Sequence, residues 1–271
     1  MTTDLKRMAH LVRANFITKS TCLAKDSGEM NVRETADFIR VDSGLPSDTF
    51  NNSVWLKEQV KPSDTGLIEE TVEYFNKKQY PIALWSWEDH NSCTFETLRS
   101  LGLNEAETNV AMYADLDALR PDTSCPAELR LKEVTSAREI EQYGDMLASL
   151  FGESAEAANV RLYYKRMPAS LLLNHSAMKL YIGSVQDDVV STGCLIFAPD
   201  SVGIYDIATR QECRGRGFGS AMFNFLLVEA RKHRTGWCVL QASPDGINIY
   251  KRSGFEPVCE VTVYENRHMF E

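Results

Sequence analysis

The chain has 271 residues, 44% of them hydrophobic and 25% charged, and a formal net charge of −9. This is the balance of a soluble globular protein, long enough for two domains of ordinary size. The acidic surplus argues against nucleic-acid and anionic-membrane partners, which depend on clustered Lys and Arg. It mildly favours a cationic acceptor.

No apolar run approaches the roughly 18–20 residues that a membrane-spanning helix requires. The start of the chain, Met1-Thr-Thr-Asp-Leu-Lys-Arg-Met8, lacks the apolar core of a signal peptide, so a cytoplasmic location is expected. The cysteines at 22, 93, 125, 194, 213, 238 and 259 form no Cys-x-x-Cys pair. Neither a zinc site nor a disulfide framework is expected, and no metal is called for.

In chain order, residues 50–56 predict a strand, 66–78 a helix, 81–87 a strand, 94–101 a helix and 109–114 a strand. Leu119-Arg-Pro-Asp-Thr-Ser-Cys-Pro-Ala127 then reads as a linker, with two prolines among short polar residues. The boundary falls near Pro126, giving domains of 1–126 and 127–271.

Downstream, residues 129–134 alternate as a half-exposed strand does. Ser136-Ala-Arg-Glu139 fits a capping box, and Ile140, Tyr143, Leu147, Leu150 and Phe151 supply the stripe of an amphipathic helix. Residues 155–166 predict a second helix, and 179–185 and 189–197 strands joined through Gln186, Asp187 and Asp188. Residues 202–209 predict a further strand. In residues 218–233, Phe223, Leu226, Leu227 and Ala230 fall on one helical face, with Arg231, Lys232 and His233 at the negative C-terminal end and Gly236 just beyond. Residues 237–242 are nearly all apolar, as in a strand covered on both faces. A short helix at 247–253 and a strand at 257–264 complete an α/β order with a mixed sheet.

The first half echoes the last part of this order. Thr97-Leu-Arg-Ser-Leu-Gly-Leu103 resembles Ile249-Tyr-Lys-Arg-Ser-Gly-Phe255 as a helix ending in Gly and an apolar residue, which suggests a structural repeat.

The chemistry concentrates in Arg214-Gly-Arg-Gly-Phe-Gly-Ser220, between a predicted strand and the long helix. Gly215, Gly217 and Gly219 leave the backbone unshielded, so several N–H groups can point at one anion. Those groups sit at a helix N-terminus, where unpaired donors and the positive dipole end add attraction. Arg214 and Arg216 add charge, and a pyrophosphate is the natural guest. A Walker A loop needs Gly-Lys followed by Ser or Thr, which is missing. A dinucleotide loop needs a third glycine where Ser220 stands.

What matches is Arg-x-x-Gly-x-Gly, filled by Arg214, Gly217 and Gly219. Here the sequence resembles the GNAT superfamily of N-acetyltransferases, whose acetyl-CoA signature is [Gln/Arg]-x-x-Gly-x-[Gly/Ala]. The resemblance continues through Gln241-Ala-Ser-Pro-Asp-Gly-Ile-Asn-Ile-Tyr250-Lys-Arg-Ser-Gly-Phe255 and covers residues 128–266. It implies a GNAT-like fold for the second half, and the repeat suggests that this fold is duplicated in tandem. The first half has Leu98 where Tyr250 stands and no glycine-rich loop, and looks like a degenerate relative without its own CoA site.

The resemblance further implies acetyl-CoA as co-substrate. The backbone of residues 214–220 (Arg214, Gly215, Arg216, Gly217, Phe218, Gly219, Ser220) would hold phosphate. Ile207, Ala208 and Thr209 would pair with the pantetheine arm as an added strand. A bulge splaying this strand from residues 237–242 would free those groups. Ser243 and Asn248 could bond the pantetheine amides or simply cap the helix.

Tyr250 would serve as general acid toward the departing sulfur; the alternative is a packed Tyr with a wet tip. Asp206 is a possible base, the alternative being an ion-paired carboxylate, while Glu229 and His233 are weaker choices. Glu139, Glu141, Asp145, Glu153 and Glu156 flank the region that commonly borders the acceptor cleft in this family. The expected activity is direct acetyl transfer to a primary amine, of a small molecule or a peptide. A non-catalytic CoA-binding or protein-interaction module is the alternative. Acceptor identity and oligomeric state are not specified by the sequence.

Overall fold

The computed structural model describes residues 3–57, 62–87, 92–233, 236–244 and 246–270. The chain opens with helix α1 (Thr3–Thr21) and one turn, α2 (Ala24–Ser27), followed by strands β1 (Asn31–Glu34), β2 (Phe38–Asp42) and β3 (Asn52–Trp55). Helix α3 (Thr65–Asn76), β4 (Ala83–Ser86), α4 (Ser92–Ser100) and the long strand β5 (Asn104–Asp115) finish the first half. The second half runs β6 (Leu129–Glu133), α5 (Ala137–Ala148), α6 (Ala155–Arg166), α7 (Ala169–Asn174), β7 (Met178–Val185), β8 (Asp188–Ala198) and β9 (Ser201–Thr209). Helix α8 (Phe218–His233), β10 (Trp237–Ala242), α9 (Ile247–Arg252) and β11 (Glu256–Glu265) close the chain.

Several boundaries follow from local chemistry. Ser136 caps α5, its side chain accepting from the Glu139 N–H, and Ser154 caps α6 by accepting from the Ala157 N–H. Glu139 reaches back to accept from the Thr135 N–H at 2.7 Å and pairs with Lys132. Burial pushes the Glu139 carboxyl up, but Lys132 and Thr135 outweigh it and hold it down at about 2. Because this folded value lies below the ordinary one, the contribution is full above the ordinary carboxylate range and fades as pH falls toward 2. Glu139→Gln is therefore expected to cost about 1–2 kcal/mol at pH 7. Urea denaturation at pH 7 and again near pH 2.5 would check it, since the deficit should shrink markedly at the lower pH.

All eleven strands join one sheet in the order β1-β2-β3-β4-β11-β5-β10-β9-β8-β7-β6. Read inward from either end, the pairings follow one pattern, with two antiparallel pairs on the β1 side and three on the β6 side. Antiparallel neighbours lead to one parallel pair, β3 with β4 on one side and β9 with β10 on the other. Beyond each parallel pair lies the last strand of the opposite half: β11 beside β4, and β5 beside β10. The two exchanged strands then pair with each other over almost their full length. The connection between β5 and β6, which contains Pro126, has no helix or strand, yet the sheet runs straight through this seam.

The link itself is pinned to α8. Arg231 donates to the carbonyls of Leu116 and Leu119, and the Asp122 N–H donates to Asn224. Helix α1 fastens the halves from the other side. Its Met8, Leu11 and Val12 pack on Ala111, Val239 and Val261, one residue from each of β5, β10 and β11. Asn15, fully buried, donates to the carbonyls of Ile196 and Ser201 and to the Ser201 hydroxyl. A buried Val or Leu contributes roughly 1.5–3 kcal/mol by removal from water, so this helix is a structural member of both halves.

Candidate active site

The sheet opens where β9 meets β10. Only Ser201, Val202 and Gly203 of β9 are in register with Trp237, Cys238 and Val239. Beyond Gly203 the strands diverge, leaving one edge of β9 without a strand partner. The divergence has a local cause: Asp206 has a left-handed backbone (φ 54°), and the β8–β9 register slips between Thr192 and Cys194. An extra residue on one strand kinks it and increases its twist. The expected bulge is thus present, and Ile207, Ala208 and Thr209 lie on the freed stretch. In the first half the equivalent pair stays closed. Asn52, Ser53 and Val54 are in register with Ala83, Leu84 and Trp85 through almost all of both strands.

The glycine-rich loop stands at the head of the opening. Gly215 and Gly217 have φ values of 76° and 80°, a region that other L-residues enter only under strain. These two turns carry the chain into α8, whose first intrahelical bond runs from the Ala221 N–H to the Gly217 carbonyl at 2.9 Å. The amides of residues 215–220 have no acceptor among the described residues. Phe218 itself is buried, packed with Leu129, Val190, Cys213 and Ala221, so it anchors the loop and offers only its N–H outward. Arg216 stacks over the Phe218 ring and pairs with Glu128 at 3.1 Å, while Arg214 donates to the Thr209 carbonyl at 3.3 Å.

Unpaired donors at a helix N-terminus, an open strand edge and two arginines fit a pyrophosphate followed by an extended amide chain. Among the described residues there is no group of three side chains able to hold a metal ion, and no helix is long and apolar enough to cross a membrane.

Tyr250 closes the other lip. Its ring sits edge-on to Phe223 at 5.1 Å and near Phe255 at 6.3 Å, and burial raises its hydroxyl above the ordinary phenol range. Ser243 lies beside it and accepts the Gly246 and Ile247 N–H groups through its carbonyl, the capping arrangement. Asn248 is exposed on α9 and does not line the cavity below.

From this opening a cavity of about 660 Å³ extends under the exchanged strands, within the usual range for small-molecule sites. Ile207, Ala208, Ser243 and Tyr250 line one part of it. Phe16, Phe50, Trp85, Tyr163 and Tyr164 supply an aromatic wall, and Asp48, Glu265 and Arg267 line a further part.

Asp206 also lines the cavity, but its carboxylate is occupied. Lys19 of α1 donates to it at 2.7 Å and the Tyr143 hydroxyl at 3.3 Å. Burial alone would lower Lys19; the charge of Asp206 more than offsets it and holds the ammonium up. Of the acidic residues flanking the expected cleft, Glu156 is buried and accepts from the Ser47 hydroxyl and the Thr49 N–H, fastening α6 to the first half. Asp145 pairs with Arg161, and Glu229 with Lys232. None of Glu139, Glu141, Asp145, Glu153 and Glu156 lines the cavity. His233 rests against the Phe197 ring at the end of α8.

A family model for the acetyltransferase (GNAT) domain matches residues 176–257, from just before β7 to the start of β11. Residues 176–257 carry a GNAT domain. The match spans the bulged strand, the glycine-rich loop, α8, β10 and Tyr250, so the GNAT signature and the opened sheet coincide.

Solved structures with the same fold extend over both halves. A GCN5-related N-acetyltransferase from Kribbella flavida is 14% identical with a TM-score of 0.65, covering 93% of this chain and 95% of that one. A conserved protein of unknown function from Staphylococcus epidermidis is 15% identical with a TM-score of 0.65, covering 86% and 92%. A tandem GNAT protein from the clavulanic acid biosynthesis pathway is 13% identical with a TM-score of 0.57, covering 94% of each chain. At such identities the likeness is one of fold. Comparison with curated proteins finds no match.

Sequence reasoning missed Lys19, Asp48, Glu265 and Arg267. Arg267 grips Asp48 through Nε and Nη2 at 2.6–3.1 Å, although the two are 219 residues apart in sequence. No local spacing announces such a pair.

Proposed function

We propose that this protein transfers an acetyl group from acetyl-CoA directly to a primary amine within a ternary complex. The observation that carries the reading is the coincidence of three features at one place: free amides at the start of α8, an unpaired edge on β9, and a phenol at the opposite lip.

On this reading the amides of residues 215–220 hold the pyrophosphate, with Arg214 and Arg216 adding charge. Ile207, Ala208 and Thr209 present backbone groups to the pantetheine arm, with Ser243 and Asn248 available on the other side. Acetyl-CoA brings the activated acyl group as a thioester. Tyr250 donates a proton, or a hydrogen bond, to the sulfur as the carbon–sulfur bond breaks and the carbon–nitrogen bond forms. The amine gives up its own proton to solvent, because Asp206 is engaged by Lys19 and Tyr143 and serves better to hold the bulge in shape.

The first half acts as a second, degenerate unit. Its closed β3–β4 pair leaves no wedge for a coenzyme, and it contributes instead to the acceptor cavity. Residues 1–126 and 127–271 are then two units that have exchanged their final strands.

The test is thiol release from acetyl-CoA with a mixed panel of primary amines. Acetyl-CoA-dependent turnover with at least one amine is expected. Thermal stabilisation by CoA without turnover on any amine would replace the enzyme with a CoA-binding module.

A further inference from the structure

The cavity continues well past the point where the coenzyme sulfur would lie. Ala242, at the end of β10, aligns with Val110 of β5, which aligns with Glu260 of β11. Glu265 lies five residues further along β11 and two strands across. At about 3.3 Å per residue and about 4.8 Å between strands, its backbone is roughly 19 Å from Ala242. Glu265 is therefore too remote to touch the attacking nitrogen, yet it lines the same cavity.

Its surroundings make it a receptor for positive charge. Arg267 is the cation that faces it, but the Nε–Nη2 edge of that guanidinium is committed to Asp48, which is almost fully buried. The Glu265 carboxylate has no hydrogen-bond or ion-pair partner among the described residues. The charged groups facing it are Asp48 from the β2–β3 connection, Glu107 from β5, Glu156 from α6 and Arg267 from the turn after β11. With Glu265 counted, four carboxylates surround one cation.

A second observation concerns the wall between the two ends. Tyr205, 8% exposed, lines the cavity with a hydroxyl that has no partner among the described residues, and the amide nitrogen of Gln241 there is likewise unpartnered among them. Phe16 and Trp85 pack at 4.3 Å between rings alongside them. The result is a cavity with apolar and aromatic sides, a few unmet polar groups and an uncompensated carboxylate remote from the β9–β10 opening.

We infer that the acceptor is an elongated amine carrying a second cationic group, which Glu265 holds while the reacting amine reaches the acetyl group between Ile207 and Tyr250. This rests on the acetyl-transfer reading and specifies its substrate class. Glu265 is a specificity residue, remote from the chemistry. Burial and the neighbouring carboxylates place its carboxyl at about 7, so selectivity for the distal cation should grow as pH rises from 6 to 8 and the carboxylate forms.

The experiment compares α,ω-diamines with n-alkylmonoamines of equal chain length, by thiol release and by calorimetry on the CoA-saturated protein. For the longer chains, KM for the diamine is expected at least tenfold below that of the matching monoamine. Glu265→Gln should bring that ratio to near one and make it independent of pH, while Glu265→Asp should retain part of it. The reacting amine titrates alike in both series, so the ratio isolates Glu265. Equal KM values throughout, with turnover intact, would overturn the cation site and leave acetyl transfer standing. Diamine binding that is lost in Glu265→Gln, with no thiol released, would do the reverse. Neither heat nor discrimination would remove the site.

Discussion

A Gly217→Glu variant is expected to fold and to lose all thermal stabilisation by CoA. The position demands glycine for its backbone, with φ at 80°, and another L-residue there costs about 1–2 kcal/mol. Space is not the obstacle. The nearest atom to an added Cβ is Pro126 Cγ at 3.9 Å, an ordinary contact. The melting temperature of the free protein should therefore drop by a few degrees without collapse.

The loss of binding has a different origin. A carboxylate on residue 217 can fold onto the free amides of residues 215–220 and repels a phosphate from outside. Ligand at 100 times its dissociation constant stabilises the wild type by about 2.7 kcal/mol, a shift that differential scanning fluorimetry resolves easily. Gly217→Ala supplies the control, since it carries the same backbone strain without the charge and should keep a measurable part of the shift. An undiminished CoA shift in the Glu variant would sink the phosphate assignment of this loop.

That loop was readable from sequence because its chemistry is local. Three alternating glycines, flanking arginines and the apolar stripe of Phe223, Leu226, Leu227 and Ala230 all fall within twenty residues, and the helix appears at the expected bounds, Phe218–His233. The same holds for residues 155–166, where Ser154 supplies a cap, and for β10, apolar on both faces because α1 covers one and α8 the other. Helix α1 carries a local signal of the same kind. Met8, Leu11, Val12 and Phe16 follow helical spacing, and all are buried.

The exchange of β5 and β11 is of another kind. Residues 109–114 predict a strand correctly, but nothing in them specifies a partner from the opposite half of the chain. The strand also begins five residues earlier, at Asn104, through a solvent-exposed run of Asn, Glu, Ala and Glu that has low strand propensity and is held by pairing with β11.

The exchange explains why the cavity is invisible in the sequence. Lys19 and Asp206 meet across 187 residues of sequence, and the aromatic wall draws on α1, the β2–β3 connection, β4 and α6. Each contributor looks like an ordinary core or surface residue in its own segment. Only the exchange of strands between the two halves of the single sheet turns them into one lining. A coenzyme loop can be built from one stretch of chain because it binds through backbone, whereas an acceptor is enclosed by side chains from many directions. Legibility in the sequence therefore falls off from the donor end of the site to the acceptor end.

Tyr250 stands at the junction of the two ends, and Tyr250→Phe is expected to lower kcat by about 100-fold or more while leaving the KM for acetyl-CoA nearly unchanged. Such a loss corresponds to about 2.7 kcal/mol of transition-state stabilisation. The ring's packing against Phe223 and Phe255 uses no oxygen, and the hydroxyl has no partner among the described residues that its removal would strand. Stability should consequently stay within experimental error of the wild type, which separates a chemical role from a packing one. Burial raises the phenol above its ordinary range, so it stays protonated, as a donor must, throughout neutral pH. Charge on the sulfur exists only as the thioester breaks, so the interaction is absent from the bound ground state and its loss appears in kcat alone. Steady-state kinetics with acetyl-CoA varied at saturating amine would measure both constants, and an unaltered kcat would take Tyr250 out of the mechanism and reassign it to the hydrophobic core beneath α9.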